Sequence, residues 1–266
     1  MTYQAIRVET KDGVTLLTLN RPERFNALNR QMIGEILDVL AKAKPGSDTR
    51  TIVITGAGRG FCGGADLKDP AGPAGLMEEI TPEARRLGLR QFYPLILGIR
   101  NAEVPVIAMV NGDAAAGGCD VALACDIRVG SEKARFMEAF ARIGLFPGTG
   151  GCWFLPRMVG MSKAAEMIFT GDPIGAEDAY RWGLLSQLIP HEELHERTMA
   201  LARRIASGPP IAIRLAKLVM ARSVDASLET SLELAAASES ITLTSEDHKE
   251  GLAAFLEKRE ARFTGR

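Results

Sequence analysis

The chain has 266 residues, 46% of them hydrophobic and 24% charged, with a formal net charge of -1. That length supports one sizeable core, or one large domain with a small appendage, in an ordinary soluble globular composition. The near-zero charge gives no global reason to expect nucleic acid or an anionic membrane as partner, and no apolar run approaches the ~20 residues of a spanning helix.

Residues 1–9 have no apolar signal core and read as a strand. The run Val14-Thr15-Leu16-Leu17-Thr18-Leu19 reads as a second strand, ended by Asn20-Arg21-Pro22-Glu23. Met32, Ile33, Ile36, Leu37 and Leu40 have helical spacing, closed by Pro45-Gly46. A strand over 51–55 follows. Residues 69–75, rich in Pro, Gly and Ala, read as a surface loop of the kind that covers ligand sites. One helix is expected over 82–100, then strands at 106–110 and 126–129. From His191 onward helical patterns follow one another, over 194–206, 209–222, 228–238 and 245–259, with apolar faces suited to another subunit.

Cys62, Cys119, Cys125 and Cys152 form no CxxC pair, so free thiols in a reducing cytoplasm are expected. His191 and His195 stand one helical turn apart without an evident third ligand, and read as solvated helix residues rather than a metal pair.

Two glycine-rich turns carry most of the chemical information. Gly60-Phe61-Cys62-Gly63-Gly64-Ala65-Asp66-Leu67 and Asn111-Gly112-Asp113-Ala114-Ala115-Ala116-Gly117-Gly118-Cys119-Asp120 each follow an apolar strand and run toward a helix-like segment. Such turns expose backbone N–H groups that no side chain shields. Brought together, they can aim donors at one oxygen, as in an oxyanion hole, which a thioester carbonyl needs when it becomes an enolate. Gly56-Ala57-Gly58-Arg59-Gly60 has the wrong spacing for a dinucleotide loop, which argues against nucleotide-dependent oxidoreduction.

Those turns, with Leu19-Asn20-Arg21-Pro22-Glu23-Arg24-Phe25-Asn26-Ala27-Leu28, Gly144-Leu145-Phe146-Pro147-Gly148-Thr149-Gly150-Gly151, Thr170-Gly171-Asp172 and Glu250-Gly251-Leu252-Ala253-Ala254-Phe255, resemble the enoyl-CoA hydratase/isomerase (crotonase) superfamily along nearly the whole chain. The resemblance implies an α/β fold, a crotonase-like spiral of ββα units with a helical C-terminal trimerisation region. Residues 1–190 would form the acyl-CoA-binding core and 191–266 the oligomerisation region of a homotrimer or dimer of trimers. It implies an acyl-CoA thioester substrate, no metal, and no cofactor beyond the coenzyme A that the substrate carries. The oxyanion donors would be the N–H groups of Gly63 and Gly117. Coenzyme A contacts would fall near Arg24, Ala27, Ala65, Asp66 and Leu67, and Phe263 matches a C-terminal aromatic that closes a neighbouring subunit's site.

In this family hydration is usually done by two glutamates. Asp120 occupies the first position, three residues after Gly117 and about one helical turn on. In the first turn the helix dipole favours its anion, which suits a base; the alternative is a simple capping carboxylate. The second position falls on Phe140, which cannot move a proton. Glu138 would share a strand face with Phe140 and replace the missing acid, or else be a solvated or salt-bridged side chain. Gly148 stands where some isomerases of the superfamily carry an aspartate, and the stretch from Gly144 to Arg157 resembles ring-modifying isomerases of phenylacetate degradation. Phe140 would belong to an apolar acyl wall, whereas Trp153 reads as core packing.

With Asp120 alone, removal of a γ-proton and its return to the α-carbon through an enolate would isomerise a double bond, and activation of water would hydrolyse. With Glu138 as well, hydration of an enoyl-CoA is open. A non-catalytic acyl-CoA-binding protein is the reading outside enzyme chemistry.

Overall fold

The computed structural model describes residues 3–69 and 81–266. Of the expected lid over 69–75, only Asp69 lies within them. The chain begins with strands β1 (Ile6–Lys11) and β2 (Val14–Leu19), helix α1 (Arg30–Lys42) and strand β3 (Thr51–Gly56). Asn29 caps α1 by accepting from the Met32 N–H at 2.9 Å. The helix expected over 82–100 is divided into α2 (Pro82–Leu89), a 3-10 turn and α3 (Tyr93–Asn101), with Pro94 in the first turn of α3. Proline has no N–H for the i−4 carbonyl, so it starts a helix more readily than it continues one.

Strand β4 (Val106–Val110), strand β5 (Asp113–Ala115) and helix α4 (Gly117–Ala124) form one ββα unit. Strands β6 (Ile127–Ser131) and β7 (Arg135–Met137) with helix α5 (Gly151–Thr170) form the next. The short strand β8 (Ile174–Gly175), helix α6 (Ala176–Arg181) and strand β9 (Gln187–Ile189) complete the sheets. Helices α7 (Leu194–Ala206), α8 (Pro210–Ser223), α9 (Leu228–Leu243) and α10 (Glu246–Glu257) follow. Successive units alternate between two sheets: a six-stranded one in the order β1-β2-β3-β4-β6-β9 and a three-stranded one in the order β5-β7-β8. This is the spiral of ββα units that the sequence resemblance implies.

The central parallel strands β3 and β4 are buried along their whole length, as runs covered on both faces are. Alternation sorts their side chains. Ile52, Ile54, Val106, Ala108 and Val110 face the main core with α1, α3, α4 and α5. Val53, Ile107 and Met109 face the opposite side, where Leu194, Ala202 and Ala206 of α7 cover them. The first C-terminal helix is therefore part of the core of its own chain. Lys217 of α8 is buried and ties the next helix down, with its Nζ 2.8 Å from the Asp126 carboxylate and donating to the carbonyls of Val104 (2.9 Å) and Ile99 (3.3 Å). Among the described residues no helix is long and apolar enough to cross a membrane.

Candidate active site

The small sheet brings the glycine turns together. Cys62 forms a parallel bridge with Ala114, so residues 61–62 extend the sheet beside β5. The Cys62 N–H donates to the Asp113 carbonyl at 3.0 Å, and the Ala115 N–H donates to the Cys62 carbonyl at 2.9 Å. On the other side of β5, Ala115 is in register with Met137 of β7, and the Ala116 N–H donates to the Met137 carbonyl at 2.8 Å. Three neighbouring strands thus end at one level. From there the chain leaves as Gly63-Gly64-Ala65, as Ala116-Gly117, and as Glu138. A Cβ on Gly118 would lie 2.2 Å from the Cys62 carbonyl oxygen, so only glycine lets α4 start this close to the first turn.

The Gly63 amide, expected to be a free donor, is not free. The Gly63 N–H is spent on the Phe25 carbonyl at 2.8 Å, which takes it out of an oxyanion hole. Around Ala65, the Leu28 N–H donates to the Gly64 carbonyl and the Asp66 N–H to the Leu28 carbonyl. A parallel bridge with Leu28 uses those neighbours and leaves the Ala65 N–H without a backbone partner among the described residues. A Cβ built on Gly117 would lie 3.8 Å from the Ala65 nitrogen, so the two amides are neighbours. Gly117 is the first residue of α4, where N–H groups lack intrahelical acceptors. Ala116, at φ 47° and ψ -123°, holds the abrupt turn into that helix, in a conformation alanine adopts only when its surroundings impose it.

Asp120 faces the same place. All of α4 is buried, and Asp120 with it. The Thr149 hydroxyl donates to its Oδ2. Burial pushes the carboxyl up to about 7, even though the Thr149 hydroxyl and the Gly151 N–H favour the anion. Desolvation outweighs the helix-dipole preference on which the sequence reading relied.

Glu138 is neither solvated nor salt-bridged. It is fully buried, and no hydroxyl, amide or cation reaches either carboxyl oxygen among the described residues, the Cys119 thiol acting on it as a weak donor; Oδ1 of Asp120 is unpartnered. Burial, reinforced by the Asp120 charge, pushes the Glu138 carboxyl up to about 9. A negative charge on Asp120 opposes ionisation of Glu138, so the pair resists carrying two charges at once. Phe140 does not share the Glu138 face. Strand β7 ends at Met137, and Phe140 is helical at φ -60° and ψ -42°, half-buried at the start of a 3-10 turn.

The remaining expected contacts are dispersed. Asp66 is buried in an ion pair with Arg21 at 2.7 Å. Arg21 also donates to the Ala27 carbonyl at 2.6 Å, so Asp66 braces the loop that carries Arg24 and Ala27. Arg24 is exposed and Leu67 is half exposed. The Arg59 guanidinium lies 4.2 Å from the Phe25 ring centroid, a cation–π contact beside Gly63 that the sequence does not announce. Phe263 lies elsewhere. Its carbonyl accepts from Arg50, at the start of β3 and so at the opposite end of that strand from the glycine turns, and its ring approaches Gly251 of α10. Trp153 is not core: it is 37% exposed, with the Arg157 guanidinium 4.3 Å from its ring centroid. His191 contacts the Ser131 hydroxyl at 3.2 Å. A cavity of about 900 Å³ opens among residues 246–264 and one of about 470 Å³ between residues 44–50, 103–105 and the C-terminal helices, and neither is lined by a carboxyl of the pair.

No local pattern marks Thr149 as a partner of Asp120, because only folding brings the segment before α5 onto α4.

The family model described as enoyl-CoA hydratase/isomerase matches residues 9–266. A protein named probable enoyl-CoA hydratase from Rhodobacter capsulatus is 40% identical over 266 residues, covering 100% of both chains. The 1,2-epoxyphenylacetyl-CoA isomerase of Escherichia coli is 37% identical over 258 residues, covering 96% of each. A crystal structure of an enoyl-CoA hydratase from Bacillus anthracis superposes with a TM-score of 0.92 at 33% identity, covering 99% of this chain and 100% of that one. With its fold and its match to the family model along almost all of its length, the chain belongs to the enoyl-CoA hydratase/isomerase family of enzymes.

Proposed function

We propose that the protein hydrates a 2-enoyl-CoA thioester, with the enolate oxygen held by the N–H groups of Ala65 and Gly117. The observation that carries this reading is the second carboxyl, Glu138, sealed against Asp120 where the sequence pattern offers only Phe140. Ionised Asp120 takes a proton from water as the water oxygen bonds to the β-carbon. The double-bond electrons move to the thioester oxygen, and the two amides stabilise the charge that develops there. The protonated Glu138 then gives its proton to the α-carbon as the enolate collapses. Transfer of a proton from Asp120 to Glu138 within the pair restores the starting state. Coenzyme A enters as part of the substrate, and no other cofactor takes part.

Double-bond isomerisation is the second reading. The segment joining Glu138 to Thr149 exposes Ile143, Leu145 and Phe146, the last 74% exposed, and such an apolar rim suits a bulky acyl group. The exposed apolar side chains of the C-terminal helices, such as Leu228, Leu232 and Phe255, fit contacts between copies in a homotrimer or dimer of trimers.

Ultraviolet absorbance at the enoyl-thioester band tests both. Loss of the crotonyl-CoA signal, abolished in Glu138→Gln, is the expected result. A gain of signal from a 3-enoyl-CoA with crotonyl-CoA untouched replaces hydration by isomerisation. No change with either substrate overturns the enoyl-CoA reading.

A further inference from the structure

Thr149 takes no part in the proton transfers above, yet its hydroxyl lies against Asp120 and beside Gly117. It donates to Oδ2 of Asp120, and its Oγ1 would lie 3.7 Å from a Cβ built on Gly117, the residue whose amide faces the thioester oxygen. A hydroxyl has one proton to donate, and Asp120 takes it. Glu138 has no hydroxyl or amide donor among the described residues; the one side chain acting on it in that way is the Cys119 thiol, a far weaker donor. A donated hydrogen bond favours the ionised form of the carboxyl that accepts it. The pair is therefore unequal, although both members are carboxylic acids in the same buried space.

We propose that Thr149 is a positioning residue that decides which member of the carboxyl pair carries the proton: by donating to Oδ2 it keeps Asp120 ionised, leaves the proton on Glu138, and turns the unpartnered Oδ1 toward the substrate. This rests on the assignment of Asp120 as base and Glu138 as acid. Burial raises both carboxyls, so a small bias within the pair is enough to set its polarity. The other titratable groups acting on the pair are the thiols of Cys119 on α4 and Cys152 on α5, each shifted upward by burial first and then by the two carboxylates. No lysine or arginine forms an ion pair with either carboxyl among the described residues, so no cation competes with the hydroxyl. The Gly151 N–H acts in the same direction as Thr149 but belongs to the backbone, and side-chain substitution leaves it in place.

The test is infrared titration of the carboxyl stretches in the ligand-free full chain, with Asp120→Asn and Glu138→Gln spectra assigning the two bands. In the parent protein Asp120 ionises in the first step and Glu138 in the second. In Thr149→Val, which keeps the side-chain volume and removes the donor, the first step moves up by about one pH unit, the scale of one hydrogen bond to a charged group. The aspartate then competes with Glu138 for the proton. Thr149→Ser restores the parent titration, and the acid limb of kcat/KM moves with the infrared step. An unmoved first step in Thr149→Val, or a shift that Thr149→Ser fails to reverse, overturns the inference. If the valine variant does not fold, Thr149→Ala supplies the same readout. The titration needs no turnover, so inactivity of the parent protein toward both enoyl-CoA substrates would count against the proposed reaction while the infrared result still decides the role of Thr149.

Discussion

A Cβ built on Gly151 would lie 2.7 Å from Oε2 of Glu138 and 2.9 Å from Oε1. The first residue of α5 thus closes directly on the carboxyl beside Asp120, and a hydrogen in place of a methyl group is what lets Glu138 occupy that position. Gly151→Ala would favour the helix by up to about 1 kcal/mol but push the Glu138 carboxyl aside. The expected outcome is a fold that melts close to the parent temperature with kcat reduced about 10²-fold, the scale of an ångström of misplacement. Thermal melts and steady-state kinetics on one preparation check it; unchanged kcat would remove Glu138 from the reaction.

The carboxyl pair also predicts how stability depends on pH. Glu138 rises from 4.5 to about 9 on folding, and Asp120 from 3.8 to about 7. Between its unfolded and folded values each group binds more protons in the folded state than in the unfolded state. Their contribution to stability therefore falls as pH rises through that window and levels off above about 9. Glu138→Gln removes the larger of these penalties. Its melting temperature is expected to match the parent near pH 4.5 and to exceed it increasingly toward pH 9, at about 2–4 °C per kcal/mol for a chain of this size. Calorimetry across that range is the measurement, and a stabilisation independent of pH would contradict a raised Glu138.

Activity has its own pH signature. A base that must be ionised and an acid that must be protonated give a bell-shaped kcat/KM profile with limbs near 7 and 9. Glu138→Gln would remove the alkaline limb together with most of the rate. A profile still rising above pH 9 would show that no protonated carboxyl is required.

Gly64 adopts φ +91°, and a Cβ there would lie 2.9 Å from the Ala115 carbonyl oxygen and 3.2 Å from the Gly117 nitrogen. Gly64→Ala would strain the backbone by about 1–3 kcal/mol and press the two donor turns apart. Both the urea midpoint and kcat are expected to fall. A fall in stability alone would place the oxyanion donors somewhere other than Ala65 and Gly117.

Lys217→Met would take the buried cation away from Asp126, whose carboxylate is partly exposed. Loss of one partner of a fully buried pair costs about 3–5 kcal/mol, and the partial exposure of Asp126 brings the expected loss below that range. Urea unfolding should register that loss, and limited proteolysis should cut first among the C-terminal helices. Retention of parent stability would mean that α8 is held by its apolar contacts alone.

Much of the architecture follows from local pattern. The apolar runs at 51–55 and 106–110 are the buried strands their composition suggests, and the second glycine turn leads into α4 as its sequence suggests. The family motifs identified the spiral, and the spacing from Gly117 to Asp120 placed a carboxylate within one turn of an exposed amide. These features depend on a few consecutive residues, so the sequence by itself determined them.

Tertiary structure decided the rest. Whether the Gly63 or the Ala65 amide stays free depends on where Phe25 and Leu28 fold back. Whether Glu138 or Phe140 faces Asp120 depends on β7 ending at Met137, before alternation reaches Phe140. That Asp120 is raised rather than lowered depends on complete burial of α4. Each outcome is set by contacts between segments distant in the chain, where one spent hydrogen bond or one excluded water outweighs the local preference of the residue.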